Sequence, residues 1–292
     1  MRPASPTRAT ALMSACGDRT CVANSAGDAH RKPEQIKMRM KRVLLAGETF
    51  TLLQSAVAGY SVGQSSRYAN GATHFMAAVR ANNFSIEQLP SERCEEDFPR
   101  TVEALQDYAA VILSDISALT LLFTPESRQG HISVNRLRVL RDYVESGGSL
   151  MMAGGYTSYQ GMDGQARFHD TPVEDCLPVI CLPHSDGIEA PEGLVPSVVA
   201  SHPIVESAPS KWPPVLGMNR VTLRTSPDTT LIAEAEYRGC HLPILAVREF
   251  GAGRTLAFTT DIGPHWMSQQ FLASRWYGDL MGGMVKWLGR EL

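Results

Sequence analysis

Gly147-Gly148-Ser149-Leu150-Met151-Met152-Ala153-Gly154-Gly155-Tyr156 holds a helix stop, a strand and a turn in one short stretch. The first glycine pair ends whatever precedes it, because glycine takes the left-handed C-terminal turn without a Cβ penalty. Ser149–Ala153 is a short apolar run with no polar alternation, the pattern of a strand buried on both faces. The second glycine pair closes that strand and lets the backbone approach a neighbour closely. Upstream, Val134, Leu137, Leu140, Tyr143 and Val144 form one stripe of a helix over Val134–Glu145, with Ser133 as the expected N-cap. Helix, glycine stop, buried strand and glycine turn make one half-unit of a parallel α/β sheet.

The same alternation runs outward in both directions. Toward the N-terminus, Lys41–Ala46 reads as a buried strand ending at Gly47, and Thr73–Ala81 as a helix with Phe75, Met76 and Val79 on one face. Phe84–Leu89 reads as a strand, Thr101–Gln106 as a short helix, and Ala109–Ser114 as a strand ending at Asp115. Toward the C-terminus, residues 160–220 are proline-rich and read as irregular loops around short elements, an insertion or lid over the sheet edge. Strand patterns return at Arg220–Thr225, Thr230–Tyr237 and Pro243–Phe250, and Gly251-Ala252-Gly253 turns the last into Arg254–Thr260. Leu272, Trp276, Leu280, Met284 and Leu288 repeat at i+4 in a final helix from about residue 268 to 288. The expected fold is α/β, a mainly parallel sheet with helices on both faces and a late antiparallel hairpin at the edge.

Residues 1–39 lack apolar periodicity and are rich in Ala, Ser, Thr, Arg and Pro. They are expected to be a disordered N-terminal extension or the product of a misassigned start, leaving 40–292 as one domain. The 292-residue chain is 43% hydrophobic and 20% charged, with a formal net charge of −3, which argues against nucleic-acid binding. No apolar run approaches the ~20 residues that span a bilayer, so no membrane partner is expected. The six cysteines form no CxxC pair, which favours a reducing cytoplasm over a disulfide or zinc framework. No HxH or HExxH spacing occurs, so neither a dedicated metal site nor a cofactor is expected. A homo-oligomer is expected on base rates alone.

Ligands of open α/β sheets gather beyond the C-terminal strand ends. Three such ends carry chemistry: Gly47-Glu48-Thr49, Gly154-Gly155-Tyr156-Thr157-Ser158, and Asp261-Ile262-Gly263-Pro264-His265-Trp266. The glycine turn suits either a plain turn or one that presents a nucleophile beneath backbone N–H donors. Ser158 is the candidate nucleophile, His265 the candidate base, and Asp261 its orienting carboxylate. Glu48, Gly154, Gly155, Tyr156 and Trp266 are the candidate ligand-binding residues. Glu48 and Asp115 can equally cap the turns that follow them, and His265 can equally be a packed corner residue.

Four blocks resemble one family. They are Gly147–Tyr156 with Ser158 and Gly161; Thr171-Pro172-Val173-Glu174 through Leu177-Pro178-Val179; His202-Pro203-Ile204 with Trp212-Pro213-Pro214; and Gly253–Asp261 with Pro264-His265-Trp266 and Phe271, Ser274, Tyr277, Trp287 and Leu288. Together they are similar to the uncharacterised cytoplasmic proteins called putative glutamine amidotransferases, a branch of the class I glutamine amidotransferase-like superfamily near the ThuA-like proteins. The resemblance covers about residues 40–290 and implies a flavodoxin-like sheet. It also implies, for working relatives, a turn cysteine with a late-strand histidine and glutamate that release ammonia from glutamine. Here residues 154–161 contain no cysteine, and His265 is not followed by the Pro-Glu pair. The leading expectation is therefore a protein that binds a small polar metabolite, a sugar or amino-acid derivative, without hydrolysing glutamine. A hydrolase using Ser158 and His265, and a non-catalytic oligomerisation module, are the alternatives.

Overall fold

In the computed structural model, which describes residues 40–209 and 211–292, these residues belong to one compact unit. The expectation for residues 1–39 lies outside the described residues. Seven strands build the main sheet: β1 (Arg42–Gly47), β2 (Ser85–Leu89), β3 (Ala110–Ser114), β4 (Ser149–Ala153), β5 (Thr229–Tyr237), β6 (Cys240–Phe250) and β7 (Gly253–Phe258). Their order is β2-β1-β3-β4-β7-β6-β5, with the two-residue strand Ser197–Val198 beyond β5. The pairs from β2 through β7 are parallel; β7/β6 and β6/β5 are antiparallel. This is the flavodoxin-like 2-1-3-4-5 order, with β7 as fifth strand and an antiparallel extension at one edge.

Alternate residues of the parallel strands feed two cores. Val43, Leu45, Ala110, Ile112, Met151 and Ala153 face one side, and Phe75 and Val79 of α1 (Thr73–Ala81) cover them. Leu44, Ala46, Val111, Leu113, Leu150 and Met152 face the other, under Leu137, Leu140, Tyr143 and Val144 of α2 (Arg136–Glu145). Trp276, Leu280 and Met284 of α3 (Arg275–Leu288) join α1 on the first side. Burial on both faces explains why the strands read as unbroken apolar runs.

Four local readings differ from the sequence expectation. Asn135, not Ser133, caps α2, accepting from the N–H groups of Leu137 and Arg138, which leaves Val134 outside the helix and exposed. The final helix is broken: Ser268 caps Gln269–Leu272, and Ser274 starts α3 afresh by accepting from Tyr277 N–H. Residues 160–220 hold more order than expected, because Gly187–Leu194 pairs with Val215–Asn219, and Val179–Cys181 pairs with Val221–Leu223. A long antiparallel hairpin, Thr49–Ala58 with Ser61–Asn70, follows β1 directly and was not expected.

Arg136 ties the α2 side together. It is fully buried, and its guanidinium donates to Leu121 O at 2.6 Å, Cys94 O at 2.9 Å, Glu95 O at 3.0 Å, Phe123 O at 3.1 Å and Thr120 O at 3.3 Å. These carbonyls lie in or just after the short helices Cys94–Asp97 and Ala118–Leu122, whose last carbonyls have few partners within the helix. Arg136→Met removes every donor while keeping apolar bulk, so urea unfolding should show a loss of about 3 kcal/mol or more. Arg136→Lys, with a smaller donor set, should recover only part of that loss.

Candidate functional site

The C-terminal ends of β1, β3, β4 and β7 form one rim, and the switch of strand order lies between β1 and β3. Gly47 ends β1 at φ 103°, and a Cβ there would collide with the Ser114 carbonyl oxygen. Glu48 follows at φ 59°, Asp115 follows β3 at φ 45°, and His265 sits beyond β7 at φ 127°. Non-glycine residues in this region are sparse and cost about 1–3 kcal/mol each where strained, and they gather at functional sites.

Three carboxyl groups meet beneath this rim. Glu48, Asp115 and Asp261 are all buried. Glu48 accepts from the Ser114 hydroxyl at 2.6 Å and lies close enough to Asp261 to feel its charge. Asp115 accepts from Thr157 N–H at 2.7 Å and from its hydroxyl at 3.1 Å. Loss of hydration, then the Asp261 and Asp115 charges, hold Glu48 well above the ordinary carboxylate range. Burial, then Asp115, does the same to Asp261. Burial also raises Asp115, against the two Thr157 bonds that lower it. Burial in one corner thus favours the protonated form of Glu48 and Asp261.

The turn after β4 is clamped from the 180–220 segment. Asn219, fully buried, accepts from Gly155 N–H at 2.9 Å and donates to Gly155 O at 3.1 Å and Asp186 Oδ1 at 2.8 Å. Asp186 accepts from Gln160 N–H at 2.8 Å and Gly161 N–H at 2.9 Å. Gly154 N–H is taken by Phe258 O and Thr260 O, and Ser158 N–H by Gly155 O. The N–H groups of residues 154, 155, 157 and 158 are thus spent inside the protein, and the oxyanion hole weighed from sequence is not open there. A Cβ on Gly155, at φ 149°, would lie 2.5 Å from the Asp115 carboxyl, so the turn rests directly on the acid cluster.

Tyr156 stands exposed at the tip of this turn. Its hydroxyl lies 2.9 Å from His265 Nε2 and 2.9 Å from Glu189 Oε1. Glu189 Oε1 also accepts from Trp266 Nε1–H at 2.9 Å. A phenol has one proton to donate, and an ionised carboxylate can only accept. Tyr156 therefore donates to Glu189 and accepts from a protonated Nε2 of His265. The opposite nitrogen, Nδ1, faces Asp261 Oδ2 at 3.8 Å. Burial and the Glu189 bond push the Tyr156 phenol up to about 12, so it stays neutral at ordinary pH. Trp266 is fully buried and stacks on the His265 ring, with centroids 5.7 Å apart.

The structure brings together Glu48 and Asp261, Asp261 and His265, and Tyr156, His265 and Trp266. It does not bring Ser158 to His265. The Ser158 side chain is buried and its hydroxyl accepts from Asp115 N–H at 3.1 Å, which makes it a brace for the turn. Gly154 is buried, and Trp266 is a floor under His265 rather than an open surface. The buried Cys94 thiol donates to Leu89 O at 3.5 Å, and burial pushes it up to about 12. Such a thiol is not a nucleophile. Sequence reading passed over Asn219, Asp186 and Glu189. They lie in the proline-rich segment, and only an Asn or Asp inside an apolar neighbourhood, as in Met218-Asn219, hinted at a buried polar role.

Residues 42–290 match a family model described as putative glutamine amidotransferase, GATase1-like. The chain is also similar to the solved structure of cytoplasmic protein STM3548 from Salmonella typhimurium, with 32% identity and a TM-score of 0.78, covering 84% of this chain and 98% of that one. Cytoplasmic protein STM1381 from Salmonella typhimurium LT2 gives 29% identity and a TM-score of 0.79, covering 85% and 99%. A comparison with curated proteins found no match.

The acid cluster sets a sign for stability against pH. Glu48 and Asp261 bind protons more tightly folded than unfolded, so their contribution is complete below the ordinary carboxylate pKa and is lost as pH rises toward the raised folded values. Each proton held adds a slope of up to about 1.4 kcal/mol per pH unit within that window. Glu48→Gln keeps the Ser114 partner and cannot ionise. Its unfolding free energy relative to wild type should therefore climb with pH from about 4.5 upward in urea titrations; a pH-independent difference would show that Glu48 titrates normally.

Proposed function

The chain belongs to the family of putative glutamine amidotransferases, and from that membership we propose that it binds a small, donor-rich metabolite at the rim of Tyr156, His265 and Glu189 without hydrolysing glutamine through a thiol. The observation that carries this reading is the residue at the tip of the β4 turn. In the G-x-C-x-G arrangement of a thiol elbow, residues 154–158 would put the cysteine at position 156, and here it is tyrosine. Tyr156 keeps the partner a nucleophile would have, His265, but as a neutral phenol it offers a hydrogen bond instead of an attacking lone pair.

The surroundings favour the class of ligand. Glu189 is an exposed acceptor at this rim, above the buried carboxyls of Asp115, Asp261 and Glu48, a setting that favours hydrogen-bond donors over anions. A ligand with several hydroxyl or ammonium donors, such as a sugar or an amino-acid derivative, fits that field. Closed N–H groups in the turn further count against an acyl-transfer reaction, which needs donors for a developing oxyanion. The Ser158 hydrolase reading has little support, since its hydroxyl is engaged by Asp115 N–H. We place the protein in the cytoplasm by analogy with the two Salmonella proteins of that name.

Thermal-shift measurements against a panel of sugars, polyols and amino acids should find a stabilising ligand. At about a hundredfold excess over Kd the gain should be near 2.7 kcal/mol. Glu189→Gln and Tyr156→Phe should each weaken that ligand by roughly tenfold or more. Wild-type protein should release no ammonia from glutamine. Turnover of glutamine, or a panel in which no polar metabolite shifts the transition, would overturn the reading.

A further inference from the structure

The hairpin Thr49–Ala58 and Ser61–Asn70 leaves the body at β1 and is exposed at every residue from 51 to 68. Strands of this length reach roughly 33 Å. A lone two-stranded hairpin is marginal in water and needs a surface to pack on. Its edges also lack the charges and prolines that keep free strands apart: from 49 to 70 Arg67 is the single charged residue, and there is no Lys or Pro.

The register sorts the arm into two unlike faces. Opposed residues of an antiparallel pair share a face, and successive residues alternate. One face takes the pairs Thr51/Tyr68, Leu53/Ser66, Ser55/Gln64 and Val57/Val62. Leu53 is 81% exposed, Val57 72%, Val62 64% and Tyr68 54%. The other takes Leu52/Arg67, Gln54/Ser65, Ala56/Gly63 and Ala58/Ser61 and carries the charge.

We propose that the Leu53–Val57–Val62–Tyr68 face docks on the same face of a second copy of this chain, making the arm a dimerisation element. The face carries no charge, so apposing two identical copies brings no like charges together, whereas the opposite faces would bring two Arg67 side chains together. An uncharged, self-complementary patch suits the closed twofold pairing that dominates homo-oligomers. Leu52, Leu53, Val57, Tyr60, Val62 and Tyr68 make the arm richer in exposed large apolar residues than the proline-rich segment, which exposes Val195, Val198 and Val199.

Light scattering of the full chain from about 1 to 50 μM should show a dimer. Leu53→Glu with Val57→Glu places carboxylates on the docking face and should raise the dissociation constant at least about tenfold. Gln54→Glu with Ala56→Glu places them on the opposite face and should leave it within about threefold, with unchanged far-ultraviolet circular dichroism in both variants. A wild-type monomer throughout, or equal effects from the two variants, would overturn the proposal. Loss of the spectrum by the Leu53/Val57 variant would place that face on its own body and overturn it too. So would a monomer that co-sediments with phosphatidylcholine vesicles through Leu53 and Tyr60, which would assign the arm to a lipid surface.

Discussion

Three carboxyl groups cannot share a buried corner without a proton among them. Glu48, Asp115 and Asp261 follow the parallel strands β1, β3 and β7, out of water. Each loses hydration, Glu48 feels the charges of Asp261 and Asp115, and Asp261 feels that of Asp115, so protonation is the cheapest way for the fold to keep them. The geometry around them follows from that constraint. Gly155 has no Cβ because Asp115 occupies the space, and Gly71 has none because the Glu48 carboxyl does. Left-handed backbone at Glu48 and Asp115 turns the side chains into the corner. The strain at these residues is held by the parallel strands on either side.

That corner recasts what the family's architecture is used for. A thiol elbow needs a reactive side chain at its tip and open N–H groups beside it. This turn has kept its tip aimed at the late-strand histidine, yet it has spent its N–H groups on Asn219, Asp115 and carbonyl oxygens. The turn is therefore rigid where a hydrolase would be receptive. Rigidity of this kind suits recognition, because polar groups held in place lose little entropy when a ligand arrives.

The central strands were legible in sequence because burial on both faces writes them as unbroken apolar runs. Ser149–Ala153 matches the structure end to end, and β1 and β3 differ only by a residue at their ends. The rim residues were legible through the topology rule for strand ends. The long hairpin was not. Its sequence alternates weakly because neither face is buried, and its turn, Gly59-Tyr60, lacks the Asn-Gly or Asp-Gly signature. Ser158 misled in the opposite sense: spacing placed a hydroxyl at the rim, but spacing says nothing of which way it points. Asn219 bonds a turn 64 positions earlier in the chain, a relation that no local pattern encodes. Arg136 stands four residues before Leu140, on the buried side of its helix, but no local pattern tells that two short helices end on it.

The arm and the corner share a root. Gly71, the residue after the hairpin, donates its N–H to Glu48 O at 3.0 Å, and Gly263 of the His265 segment packs against the Gly71 carbonyl. The root of the arm is thus joined to the backbone of Glu48 and to the loop that carries His265. If two arms dock as proposed and docking orders that root, the corner's affinity for a ligand would change with it. Thermodynamic linkage then makes the effect reciprocal: a ligand that prefers the docked geometry must strengthen docking by the same factor. The direction depends on whether the bound corner and the docked root share one arrangement of Glu48.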